Sequence, residues 1–182
     1  TVLDHDADMI EAVRSFGYRV FYGDATRLDL LRTAGADQAK ILVLAVDDKE
    51  QSLNIVALVR EHFPALQIVA RARDVTHWHE LRDAGVSLVE RELFEASLRS
   101  ARSVLELMGH TPQAARQSVQ VFRRHNLELF EKMHPHYRDR NQLISVVKQG
   151  RQQLEEQMAQ ERAQRASRTP SEKEVSDETT AQ

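Results

Sequence analysis

The chain contains no cysteine, which excludes disulfides, thiolate nucleophiles and cysteine-ligated metal centres. A response to redox or electrophile stress would have to pass through binding of a small molecule. No apolar run approaches bilayer-spanning length and no secretory leader is present, so a soluble, cytosolic segment is expected. Charge of neither sign dominates: 25 Lys+Arg against 28 Asp+Glu give a net of −3. That balance argues against a general nucleic-acid surface. Glycine is scarce, and none of the six shows the G-x-G-x-x-G spacing that cradles a pyrophosphate. With 182 residues the chain can bury one ordinary core with length to spare. It does not begin with Met, and the expectation is the later part of a ligand-sensing domain cut from something longer.

What is present is alternation. Val2-Leu3 reads as a strand, followed by a helix over Asp6 to Phe16 with Met9, Ile10 and Val13 on one face. Val20-Phe21-Tyr22 is the next strand, and Leu28, Leu30 and Leu31 mark a short helix. The unbroken apolar run Ile41 to Val46 suits a strand buried on both faces of a parallel sheet. Asp47-Asp48 offers a cap to the helix carrying Leu53, Val56, Ala57 and Leu58, which Pro64 closes. Ile68-Val69-Ala70, a helix over Val75 to Ala84, and Val86 to Val89 complete the series. Gly17, Gly35, Gly85 and Gly109 fall at expected helix ends. The fold class is α/β: a Rossmann-like, doubly wound parallel sheet whose first strand and glycine loop are missing.

The pattern changes after Glu90. Phe94, Leu98, Ala101, Leu105 and Met108 form a stripe on one helix; Thr111-Pro112 opens another, with Val119, Phe122, Asn126, Leu129 and Met133 on one face. Residues 1–90 are thus expected to form a partial nucleotide-binding domain and residues 91–150 a helical dimerisation arm. Residues 151–182 are read as a polar, disordered tail, with a polar helix in view over Gln152 to Arg165.

Candidate site residues cluster at strand ends. Asp4 closes the first strand, where a carboxylate serves either as a helix N-cap or as a ligand for ribose hydroxyls. Asp24, Ala25 and Thr26 follow the second strand, so their turn falls at the same carboxyl edge. There Asp24 can accept from an adenine amine while Thr26 caps the next helix. Asp47 closes the third strand. Three acids at one edge suit ribose and adenine recognition better than catalysis, since no nucleophile is paired with a base. Arg71 and Arg73 alternate onto one side of their strand, either as a salt-bridged strand end or as an anion clamp. Arg91 lies between Glu90 and Glu92 at a helix start, and Asn126 interrupts an apolar stripe. Asn126 either fixes helix pairing or presents its amide to a ligand. His134 and His136 lack a third ligand for a metal, and His77 and His79 are read as surface residues of a helix.

Several segments together resemble a known family. Val2-Leu3-Asp4-His5-Asp6 and Phe16-Gly17-Tyr18-Arg19-Val20-Phe21-Tyr22-Gly23-Asp24-Ala25-Thr26 resemble the nucleotide-binding (RCK/KTN) domain that regulates potassium transport. Ile68 to Asp74, Glu90-Arg91-Glu92 and Phe122-Arg123-Arg124-His125-Asn126 are similar to the cytoplasmic part of Kef-type glutathione-gated potassium efflux antiporters. The resemblance runs from Thr1 to about Met133.

It implies a membrane antiporter exchanging potassium for protons, attached upstream in the same polypeptide, at the cytoplasmic face of a bacterial inner membrane. It implies a homodimer, an adenine nucleotide (NAD(H) or AMP) and glutathione or its S-conjugates as regulatory ligands. Nucleotide contacts would fall on Asp4, Asp24, Ala25, Thr26, Asp47 and Arg73. Arg91 and Asn126 would hold glutathione, and Phe16 would be the aromatic that a bulky conjugate displaces. An accessory quinone oxidoreductase subunit is left open as a further partner. The alternative is a soluble nucleotide-binding subunit of a Trk-type potassium uptake system; a dehydrogenase lacks a substrate domain and a hydride-transfer acid or base. In the usual strand order the absent strand lies between the Asp4 and Ile41 strands. Residues 1–182 alone are therefore expected to fold poorly and bind nucleotide weakly.

Overall fold

The structure, a computed structural model, describes residues 1–168, which fall into two compact units, Thr1–Glu95 and a second beginning at Ala96. The first unit alternates as the sequence predicts: β1 (Val2–Asp4), α1 (Ala7–Ser15), β2 (Val20–Tyr22), α2 (Leu28–Thr33), β3 (Ile41–Leu44), α3 (Lys49–His62), β4 (Gln67–Ala72), α4 (Val75–Asp83) and β5 (Leu88–Arg91). All paired strands are parallel. They form two sheets, β1-β2 and β3-β4-β5. Thus β1 and β3 are not hydrogen-bonded to each other, and each keeps one free edge.

Capping explains why the helices start where they do. Asp6 accepts from the Asp8 and Met9 N–H groups, Asp48 from Gln51 and Asp74 from His77. Each such cap is worth about 1 kcal/mol. Gly17 and Gly35 follow α1 and α2 with φ of 86° and 94°, a backbone region that a side chain would strain. The core gathers on α3, β4 and α4: Ile55, Val56, Val59, Ile68, Ala70, Ala72 and Leu81 are buried. Each large aliphatic side chain among them contributes roughly 1.5–3 kcal/mol of transfer free energy.

Two expectations need correction here. The strand in the Ile41–Val46 run ends at Leu44, and it is not covered on both faces: Leu44 is buried while Ile41 and Val43 are 55% and 71% exposed. The register sets Ile41 and Val43 beside Gln67 and Val69, and Leu44 beside the buried Ala70. His77 and His79 are not surface residues. Both are buried, because α4 packs on β4 and β5 through that side.

The second unit is helical. α5 (Phe94–Leu107), which starts at its border, is followed by α6 (Pro112–Met133), a 3-10 turn at His134–His136, and α7 (Arg140–Arg168). Thr111 caps α6 by accepting from the Ala114 N–H, and Pro112 occupies the first turn. α6 buries Ala115, Val121, Phe130 and Met133 and packs against α7. Gly150 lets the two helices approach, since a Cβ there would meet Leu129 Cδ1 at 2.6 Å. On α5 only Leu98 is buried, and Val104 and Leu107 are exposed. α7 carries residues 151–168 as helix, including the stretch Gln152 to Arg165 read as a polar helix, where Gln, Glu, Arg and Ala are good helix formers. Residues 169–182 lie outside the described part.

Candidate ligand-binding site

In a parallel α/β sheet, the strand C-termini and the loops after them form the edge where ligands bind. The first cluster there joins β1 to the turn after β2. The register pairs Asp4 with Tyr22, and the Gly23 N–H donates to the Asp4 carbonyl at 2.8 Å. A Cβ at Gly23 would come within 3.3 Å of Leu3 and 3.4 Å of Leu30, so glycine permits this close turn. Asp4 is not the helix cap. Its carboxylate accepts from the Asp6 N–H at 2.9 Å, and Asp6 takes the capping role. One Asp4 carboxylate oxygen is therefore fixed by the backbone.

Asp24 is held in a similar way. Its carboxylate accepts from the Thr26 N–H at 2.9 Å and from the Thr26 hydroxyl at 2.7 Å. These two bonds, the backbone one foremost, lower the Asp24 pKa below the ordinary carboxylate value. Thr26 therefore orients Asp24 rather than capping α2, whose N-cap is Arg27 with no side-chain bond. Ala25 sits between them, partly buried.

A second cluster ties together the ends of β3, β4 and β5. Arg71 donates to the Ala45 carbonyl at 2.7 Å, to the Asp47 carboxylate, and to Glu92 at 3.2 Å. Arg73 donates to Glu92 at 2.6 Å and reaches Asp47 at 3.4 Å. Asp47 and Arg73 are thus brought together with two residues not assigned to the nucleotide, Arg71 and Glu92. The signal for Glu92 lay in parallel pairing. The β4–β5 register continues as a Glu92 N–H to Ala72 carbonyl bond, which seats Glu92 beside the arginines. Below them His77 Nδ1 accepts from the Arg73 N–H at 3.2 Å, and Lys49 donates to Asp74 at 2.8 Å.

The residues expected for glutathione are distributed differently. Arg91 ends β5, opposite Ala72, with its guanidinium 3.6 Å from the Phe94 ring centroid. Burial lowers its pKa, while Glu95 and Glu90 raise it; guanidinium stays charged regardless. Asn126 lies partly buried on α6, in the second unit. Phe16 caps the C-terminus of α1 and is 79% exposed. Among the described residues no cluster of three or more His, Cys, Asp or Glu side chains could hold a metal.

Parallel strands with crossover helices and acids at the strand ends define a Rossmann-like domain of the class that binds nucleotides. The sequence profile of the TrkA-N domain matches residues 1–92, and that of the potassium efflux system KefB C-terminal domain matches residues 96–176. The chain belongs to the TrkA-N domain family, and it is similar to Kef-type regulatory domains. It is 48% identical over 161 residues to the glutathione-regulated potassium-efflux system protein KefC of Escherichia coli, a match covering 88% of this chain and 26% of that protein. The KefC proteins of Escherichia fergusonii and Shigella boydii match to the same extent. The chain thus spans about a quarter of the length of these relatives. Among solved structures, the AMP-bound Kef CTD of Shewanella denitrificans is 29% identical, with a TM-score of 0.64 over 74% of this chain and 96% of that one. No helix among the described residues is long and apolar enough to cross a membrane.

Proposed function

We propose that this chain is the ligand-sensing, non-enzymatic segment of a glutathione-gated potassium:proton antiporter on the cytoplasmic face of a bacterial inner membrane. An adenine nucleotide, AMP or NAD(H), binds along Asp4, Asp24, Ala25 and Thr26 with Asp47 and Arg73 nearby. Glutathione is held by Arg91 and Asn126, and a bulky S-conjugate displaces Phe16. The segment works as a homodimer through its helical arm, attached to an upstream membrane domain, with a quinone oxidoreductase as an optional accessory subunit. The observation that carries the reading is the pair of carboxylates, Asp4 and Asp24, fixed at neighbouring strand ends by backbone hydrogen bonds. Such acceptors complement ribose hydroxyls and an adenine amine. The AMP named with the Shewanella denitrificans domain supports it, and the KefB C-terminal match over residues 96–176 favours an efflux antiporter over a soluble uptake subunit.

Gating by two similar ligands requires each to prefer a different conformation, because equal preference shifts nothing. Glutathione carries two carboxylates, which guanidinium and amide groups complement, and its conjugates differ only at sulfur. Discrimination therefore falls to sterics at an exposed aromatic. Calorimetric titration of AMP into the full-length protein tests the nucleotide site. Asp4→Ala and Asp24→Ala should each weaken binding by about tenfold or more, the loss expected for a hydrogen bond to a charged group. Undiminished affinity in both variants would refute the assignment.

A further inference from the structure

Asp47 stands in the Arg71–Arg73 cluster as a carboxylate that an arriving anion can replace, a role different from contact with the nucleotide. The cluster is neutral: two guanidinium groups face Asp47 and Glu92. The two acids are not equivalent. Glu92 is 25% exposed and bonded to both arginines at 3.2 and 2.6 Å, on a residue that extends the β4–β5 ladder. Asp47 is 78% exposed and sits in the loop between β3 and α3, beside Asp48, which caps α3. Arg71 keeps two further anchors when Asp47 leaves, the Ala45 carbonyl and Glu92. An exposed ion pair contributes about 0.2–1 kcal/mol, whereas an oxyanion taken in fork geometry by two guanidiniums forms several charge-assisted bonds. The chemistry at this strand edge thus favours exchange of Asp47 for a phosphate or carboxylate oxyanion.

We infer that Asp47 is an internal competitor for Arg71 and Arg73, displaced when a phosphate or carboxylate ligand binds, while Arg71 keeps the Ala45 end of the β3–α3 loop through its carbonyl. This inference deepens the nucleotide-site reading and rests on it. It reverses the sign expected of Asp47. A ribose ligand lost by mutation weakens binding, whereas a competitor lost by mutation strengthens it. The Asp47 part of the loop then reports occupancy, because it is tied to the arginines only while they lack an external anion, whereas Ala45 stays on Arg71.

The test is titration of the full-length protein and its Asp47→Asn variant with AMP, inorganic phosphate and glutathione separately. Asp47→Asn should tighten binding by about two- to fivefold, the factor equivalent to one exposed ion pair. Adding Arg73→Ala to Asp47→Asn should cancel the gain, and Glu50→Gln, the loss of one nearby charge without an arginine contact, should leave affinity unchanged. Tightening for AMP and phosphate assigns a phosphate to the site; tightening for glutathione alone assigns a carboxylate. Unchanged or weaker binding of all three probes to Asp47→Asn overturns the inference, as does an equal gain in Glu50→Gln. Failure of AMP to bind the unaltered protein would instead refute the nucleotide reading, and the phosphate and glutathione arms would still decide the role of Asp47.

Discussion

The His77 imidazole accepts a hydrogen bond from the Arg73 N–H, while Asp74 accepts one from the N–H of His77 itself. The end of β4 and the start of α4 are thereby latched on a buried ring, whose Nδ1 must be unprotonated to accept. Burial depresses the His77 pKa; Asp74 and Glu80 pull it up, and Lys49 and Arg73 pull it down.

Acidification should therefore loosen the first unit. With the folded-state pKa depressed, the unfolded chain takes the proton first. Stability is level above about pH 6.5 and falls as pH drops from there toward the lower folded-state value. Denaturant unfolding over that range should show the decline. His77→Gln keeps a side-chain acceptor and does not titrate, so its profile should be flatter. The same slope in the variant would remove His77 from the explanation.

Thr26 should set the ionisation of Asp24. Thr26→Val deletes the hydroxyl bond but keeps the N–H bond, the larger influence. The Asp24 carboxyl, followed by NMR titration, should move up toward the ordinary carboxylate value without reaching it. Because an Asp carboxyl is charged at neutral pH with or without the Thr26 hydroxyl bond, AMP binding should weaken only in the acid range, and at a higher pH in the variant.

For the gating ligands, Arg91→Ala or Asn126→Ala should weaken glutathione binding, measured by calorimetry, and alter potassium efflux in the full-length protein. Phe16→Leu should impair activation by bulky conjugates more than inhibition by glutathione. An equal loss of both responses would assign Phe16 to packing.

Gly150 should tolerate little added volume. Gly150→Ala gains about 1 kcal/mol of helix propensity, set against about 1–3 kcal/mol for overpacking on Leu129. Thermal unfolding should show a net loss of up to about 2 kcal/mol for Ala and a larger one for Val. A stabilised Val variant would show that α6 and α7 do not meet closely there.

These residues also mark how far the sequence could be read. The positions of Asp4, Asp24 and Arg73 were legible because short apolar strands alternating with helices put charged residues at or just past predictable strand ends. The partners of Arg71 and Arg73 were not legible in the same detail, since Glu92 lies nineteen residues from Arg73 and meets it only through cross-strand register. The burial of His77 and His79 was missed because polar residues spaced two apart give no helical stripe. Gly150, at the end of the segment read as the helical arm, carried no sequence signal of the packing requirement that Leu129 sets on it.

The free edges of β1 and β3 have a colloidal consequence. Each is unpaired with another strand on that side, and on one of them, β3, Ile41 and Val43 lie open to water. Sheet edges of this kind recruit strands from other molecules. Residues 1–182 in isolation should therefore associate increasingly with concentration through β3, and one charge at Val43 should act as a gatekeeper that slows the process.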